Sequence, residues 1–264
     1  MKKLLLLKIG GGVITDKTVQ YGLREEVLTR IAKEIGEAWG KLGATKLIIG
    51  NGAGSFAHYS AHKYRTMEGF VDDKSRIGMG WVRLDAVRLN QIVFEQLLSA
   101  DVPVFTFSPS SLMSVENGKT KHTFAEPIRD ALDKEIVPLV YGDVMVDGKN
   151  GCIVYSTERV FDELAKEFMQ EYEVQVIHVS AEEGVYKKGK ASIYEEINEN
   201  NFADVKAHLG GSNGVDVSGG MLHKVEECLE LAKLGVKSQI VSGMVAGRVR
   251  EVLTGKKVKG TTIC

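Results

Sequence analysis

Three stretches of this 264-residue chain combine glycines with cations in patterns suited to holding phosphate. In Leu7-Lys8-Ile9-Gly10-Gly11-Gly12 a lysine precedes a glycine run, and Lys17 follows nine residues after Lys8. Glycine lets backbone N–H groups approach an anion with no Cβ in the way, and lysine adds a mobile point charge. The same run would also serve as a tight turn after a strand.

The second stretch, Gly50-Asn51-Gly52-Ala53-Gly54-Ser55-Phe56-Ala57-His58, stands between an apolar run and a helical pattern, the setting of an anion site at a helix N-terminus. No Lys-Ser/Thr follows its glycines, so it is not a Walker loop. His58 could donate to a phosphate from either ring nitrogen, or simply cap or bond within the core. The third stretch is Asp216-Val217-Ser218-Gly219-Gly220-Met221-Leu222-His223-Lys224. Its glycines open a helix and Lys224 lies about one turn beyond Gly220. A capped helix with an exposed lysine would look the same. Gly142-Asp143 adds a carboxylate after another apolar run.

The elements that must position these groups alternate. Leu4–Ile9, 46–49, 104–107, 137–140, 174–179 and 239–241 are short apolar runs, as parallel strands covered on both faces require. Between them lie helical patterns at 24–39, along Val82, Ala86, Leu89, Val93 and Leu97, and at 161–169, 225–234 and 247–253. This alternation predicts a three-layer αβα sandwich around a mainly parallel central sheet. Ligands of such sheets bind outside the carboxyl ends of the strands, so the glycine-rich stations should converge there. Segments 142–155 and 182–202 read as hairpins or surface excursions. The two halves are expected to share one sheet in a single domain, 1–264, with a soft boundary near residue 170.

Charge narrows the ligands. With 34 Lys+Arg against 35 Asp+Glu, no polyanion-binding surface is forced, which argues against nucleic acid. Cys152, Cys228 and Cys264 are isolated and odd in number, which fits free thiols in a reducing cytoplasm rather than a disulfide framework or zinc site. The opening Met1-Lys2-Lys3-Leu4 resembles a secretory leader, but Lys8 interrupts its apolar run too early. No stretch approaches a membrane span.

Taken in order, LKIGGGVITDK, GNGAGSFAHYSAHKY, YGDV, DVSGGMLHK and the closing GTTI resemble the amino acid kinase superfamily. Ser55-Phe56-Ala57-His58, Ala61-His62-Lys63-Tyr64 and Leu89-Asn90 are similar to the isopentenyl phosphate kinase branch. The resemblance covers nearly the whole chain. It implies an ATP- and Mg²⁺-dependent kinase forming isopentenyl diphosphate, with an acceptor lobe at 1–170, a nucleotide lobe at 171–264 and a homodimer.

The resemblance also assigns roles. Lys8 and Gly10, Gly11 and Gly12 should hold ATP phosphates, with Gly54, Gly219, Gly220 and Lys224, while Gly184 and Tyr186 should lie along the adenosine. Lys17 should stabilise the transferred phosphoryl group. Ala53, Gly54, His58, Gly142 and Thr157 should receive the acceptor, with His58 on its phosphate. Asp143 should help organise the site by orienting lysines. A monophosphate oxyanion needs no general base, so alignment and charge neutralisation would suffice. Met79, Val82 and Ile92 are candidates for the wall of a tail pocket.

Three segments depart from the superfamily pattern. Gly12 stands for the serine of KxGGS, Ser156-Thr157-Glu158-Arg159 for SGDD, and Ser180-Ala181-Glu182-Glu183-Gly184 for TDVDG. Two other readings follow: a kinase for another small phosphate or phosphonate, as in fosfomycin resistance, and a non-catalytic nucleotide-sensing module.

Overall fold

The computed structural model describes residues 1–188, 191–209 and 220–264. Strand β1 (Lys2–Ile9) explains the opening apolar run. Successive side chains of a strand point to opposite faces. Leu5, Leu7 and Ile9 accordingly enter one core cluster, Leu4 and Leu6 another.

After β1 come a single turn, α1 (Gly11–Ile14), then α2 (Glu25–Trp39) and β2 (Lys46–Asn51). Helix α3 (Gly54–Lys63) and the long α4 (Ser75–Leu98) pack together and lead to β3 (Val104–Thr106). Next are α5 (Pro109–Leu112), β4 (Met113–Glu116), β5 (Lys119–Thr123), α6 (Glu126–Asp133) and β6 (Val137–Tyr141). A hairpin of β7 (Asp143–Asp147) and β8 (Gly151–Tyr155) precedes α7 (Thr157–Phe168) and β9 (Tyr172–Ser180). The last elements are β10 (Glu196–Ile197), α8 (Phe202–Leu209), α9 (Gly220–Lys233), β11 (Lys237–Ser242), α10 (Arg248–Leu253) and β12 (Gly260–Ile263).

Eight strands form one sheet in the order β10-β12-β11-β9-β1-β2-β6-β3, parallel throughout except where β11 meets β12. Residues of α2, α4 and α10 cover one face; those of α6 and α7, with Leu231 of α9, cover the other. This is the expected three-layer sandwich, and one sheet does run through both halves. No helix among the described residues is long and apolar enough to cross a membrane.

Register fixes the functional edge. Ile9 lies opposite Asn51 and Val179, and Asn51 opposite Tyr141, so β1, β2, β6 and β9 end together. The turns that follow them emerge side by side.

A second sheet, β5-β4-β7-β8, packs beside this edge. Residues 142–155 form the expected hairpin, but the strands at Met113–Thr123 are additional to the sequence reading. Asp147 joins the two hairpin turns. Its carboxylate accepts from the backbone N–H groups of Asn117, Gly118, Lys149 and Asn150 at 2.7–3.0 Å. Burial pushes this carboxyl up, but the four donors outweigh burial and hold it well below the usual carboxylate range. The depressed value means its contribution is present above about pH 4 and fades as pH falls through the folded-state value. Asp147→Asn should therefore cost about 1–3 kcal/mol at pH 7. In urea titrations the gap between wild type and variant should close as pH drops below about 4.

Candidate active site

The edge opens into a cavity of about 1020 Å³. Lys8, Gly10, Gly11, Gly12, Lys17, Ala53, Gly54, His58, Gly142, Asp143, Thr157, Gly220 and Lys224 all line it. Gly184 and Tyr186 do not: Gly184 is packed against Thr261 and Ile193, and Tyr186 bridges Ile193. Ser180, Ala181 and Glu182, at the end of β9, line the cavity ahead of them. Gly219, with Asp216 to Ser218, lies outside the described residues, as do Gly189 and Lys190.

The glycines divide into two kinds. A Cβ on Gly11 would stand 2.4 Å from the Gly54 nitrogen, and one on Gly54, whose φ is +53°, would stand 2.4 Å from Thr15 Oγ1. These residues let the turns after β1 and β2 touch. Thr15 locks them, donating to the Gly11 carbonyl at 2.7 Å and accepting from the Ser55 N–H at 3.0 Å. The buried Asn90 amide in turn holds the Asn51 side chain at 2.9 Å, just before the second turn. Gly12 differs: a Cβ there would meet only Lys17 Cε, at 3.3 Å. Gly12 is half-buried and lines the cavity, where the missing serine leaves room for the lysine stem.

Alternation along β1 sets the charges. Lys8 continues the Leu4–Leu6 face and is only 7% exposed. It pairs there with Glu158, in the first turn of α7. Burial would push the Glu158 carboxyl up, but Lys8 and Lys224 together overcome this and hold it down at about 2. Beside Lys8 on β9 sits His178, pushed down to about 3 by burial and then by Lys8 and Lys224, so its ring is neutral. It contacts the Cys228 thiol at 3.3 Å, which burial pushes up to about 12. Burial and the neighbouring Glu227 push Asp162 up to about 8, and burial, with Glu158 adding to it, raises Glu227 as well. Lys8 and Lys224 thus share the field of Glu158 at this end of the cavity.

The carboxylate expected to organise the site has an arginine beside it. Asp143, 1% exposed, pairs with Arg83 of α4, whose guanidinium also donates to the Ser108 hydroxyl. Ser108 is 3.0 Å from the Tyr141 hydroxyl. Lys8 pairs with Glu158. Thr157 lines the cavity, yet its hydroxyl donates to the Asn51 carbonyl at 2.7 Å and its methyl packs over Gly50, where a Cβ would come within 2.6 Å. The Arg159 guanidinium lies 4.1 Å from the Tyr155 ring centroid and donates to the Gly118 carbonyl. Glu158 and Arg83 carried no local signal beyond the SGDD position of Glu158, because each partner is far away in the chain.

The other end of the cavity is apolar. Ala57 and Ala61 of α3, Val82 and Ala86 of α4, Met67 and Val154 line it. His58 is next to Ala57 on the same helix, half-buried between this end and the glycine turns. Of the three residues named for a tail-pocket wall, Val82 lines this cavity. Met79 packs behind the wall, and Ile92 lies in a separate groove with Tyr21, Phe56 and Arg88.

Residues 3–242 match the amino acid kinase family. The isopentenyl phosphate kinase of Methanothermobacter thermautotrophicus is 32% identical, and that of Methanocaldococcus jannaschii 30% identical, each over 98% of both chains. A crystal structure of an isopentenyl phosphate kinase superposes with a TM-score of 0.82 at 28% identity, over 98% of this chain and 100% of that one. The chain belongs to the amino acid kinase family, in its isopentenyl phosphate kinase branch.

Proposed function

We propose that this protein transfers the γ-phosphoryl group of ATP to isopentenyl phosphate, giving isopentenyl diphosphate and ADP. The observation that carries this reading is a single cavity with a cation- and glycine-lined end and a small-residue apolar end, His58 standing between them. The apolar end suits a five-carbon hydrocarbon tail, and the alanines at 57, 61 and 86 leave it space.

In this reading the acceptor binds on residues 1–170, with its phosphate at His58 and the Ala53–Gly54 turn. ATP lies toward 171–264, its phosphates on Gly10 to Gly12, Gly220 and the lysines. An acceptor phosphate oxygen attacks the γ-phosphorus, that bond forms, and the bond to the β–γ bridging oxygen breaks. The nucleophile is already an anion, so the chain's work is alignment and neutralisation by Lys8, Lys17, Lys224 and backbone donors. Glu158 keeps Lys8 in place, and Arg83 fixes Asp143 and the β6–β7 corner.

Among the described residues no group of three or more His, Cys, Asp or Glu side chains could hold a metal. Mg²⁺ would enter with the nucleotide and supply neutralisation of developing charge beside Lys8, Lys17 and Lys224. A homodimer belongs to the same proposal: Ile77, Trp81 and Leu84 form an exposed apolar strip on α4. The thiols of Cys152, Cys228 and Cys264 are unpaired, which fits a cytoplasmic enzyme.

Coupled ATP-consumption assays with isopentenyl phosphate, dimethylallyl phosphate and fosfomycin test the substrate. Isopentenyl phosphate should turn over fastest; faster turnover of fosfomycin, or none of any acceptor, would reject the reading. His58→Ala should raise the acceptor KM by about 10–100-fold, the worth of one charge-assisted hydrogen bond, with ATP binding nearly intact. Ala86→Leu, which fills the apolar end, should lower kcat/KM for isopentenyl phosphate by about tenfold while sparing ATP affinity, as read by titration calorimetry.

A further inference from the structure

The segment carrying Lys17 leaves the cavity edge at Thr15 and returns at Leu23, and these two residues form an antiparallel bridge. Its base is fixed: the Asp16 N–H donates to the Gly22 carbonyl at 2.6 Å, and Arg24 donates to the Gly12 carbonyl at 3.1 Å. The excursion itself, Lys17 to Tyr21, is exposed. Within it Tyr21 has φ +59°, a left-handed conformation that bulky residues rarely adopt. Such a conformation persists only where the surroundings over-determine it.

Here they do. The Tyr21 hydroxyl donates to Asp85 Oδ1 at 3.0 Å, and its ring meets Phe56 edge-on, with centroids 5.2 Å apart at 75°. Asp85 is 2% exposed on α4, and it also pairs with Arg88, 3.2 Å away on the same helix. A buried carboxylate is a poor way to stabilise a helix face. It makes sense as the anchor of a loop. Both anchors adjoin the cavity wall: Phe56 precedes Ala57 and Asp85 precedes Ala86, two residues of the apolar end. On the loop's inner side Lys17 Cε lies over Gly12, and the Tyr59 hydroxyl is 3.5 Å from the Lys17 carbonyl oxygen.

We infer that Tyr21 is a positioning residue: held by Asp85 and Phe56, it sets where the Lys17 ammonium stands over the cavity and ties that placement to the α3–α4 wall. The inference rests on the reading of Lys17 as the cation that stabilises the transferred phosphoryl group.

Tyr21→Phe keeps the ring on Phe56 and removes the hydroxyl, and Asp85→Asn weakens the same bond from its other end. With ATP and isopentenyl phosphate, each should lower kcat about tenfold, through misplacement of a catalytic group, with both KM values within about twofold. Amide hydrogen exchange across residues 16–22 should quicken in both variants. In a Lys17→Met background Tyr21→Phe should lower kcat no further, because the two residues act as one unit. An equal fall in that background, or unchanged exchange across 16–22, would overturn the inference. If the wild type turns over no isoprenoid monophosphate, the functional reading fails, and the exchange comparison by itself decides whether the clamp exists.

Discussion

A cation at the end of a strand covered on both faces must be answered by a counter-charge, and the architecture of this cavity follows from how Lys8 is answered. Removing an ammonium group from water costs several kcal/mol unless it is paired and hydrogen-bonded. Lys8 points toward α7 because Leu4 and Leu6 do, and Glu158 meets it from the first turn of that helix. A carboxylate there also benefits from the positive end of the helix dipole. Two surrounding ionisable groups give way: His178 stays neutral and Asp162 holds its proton near neutral pH, while Lys224 adds a second cation to the field of Glu158.

The same economy governs the glycines. Gly11 and Gly54 are demanded by the contact between two turns, and Gly50 by the packing of Thr157 and Phe161 over β2. Gly12 is left to line the cavity. A glycine-rich stretch can therefore be both a structural joint and an anion cradle, with adjacent residues taking different parts. The touching turns also bring His58 on α3 close to the residues that follow β1.

Much of this was legible in the sequence. Leu4 to Ile9 read as a buried strand rather than a leader because Lys8 cuts the apolar run short, and Val82, Ala86, Leu89, Val93 and Leu97 marked one face of α4. Strand ends followed by glycines located the functional edge, because parallel sheets place their ligands there. What escaped was long-range. Glu158 lies 150 residues from Lys8 and Arg83 lies 60 from Asp143, so no local pattern announced either pair. Ile92 falls outside the cavity wall because it lies about 9 Å farther along the helix than Ala86. The β4–β5 hairpin was missed for another reason. Its Asn117-Gly118 turn and the buried-exposed alternation of Met113 to Glu116 were a usable signal, but the segment is short and β5 is mostly polar and exposed.

The ladder between β1 and β9 runs over eight residue pairs at the middle of the main sheet. It joins the stretch carrying Lys8 to the half of the chain assigned to the nucleotide. Opening the molecule as two hinged halves would mean tearing that ladder along its length, so the seam is a splint rather than a hinge. Gating of ligand entry and release must then fall to the turns and short excursions at the strand ends, whose rearrangements are local and quick beside whole-domain rotation.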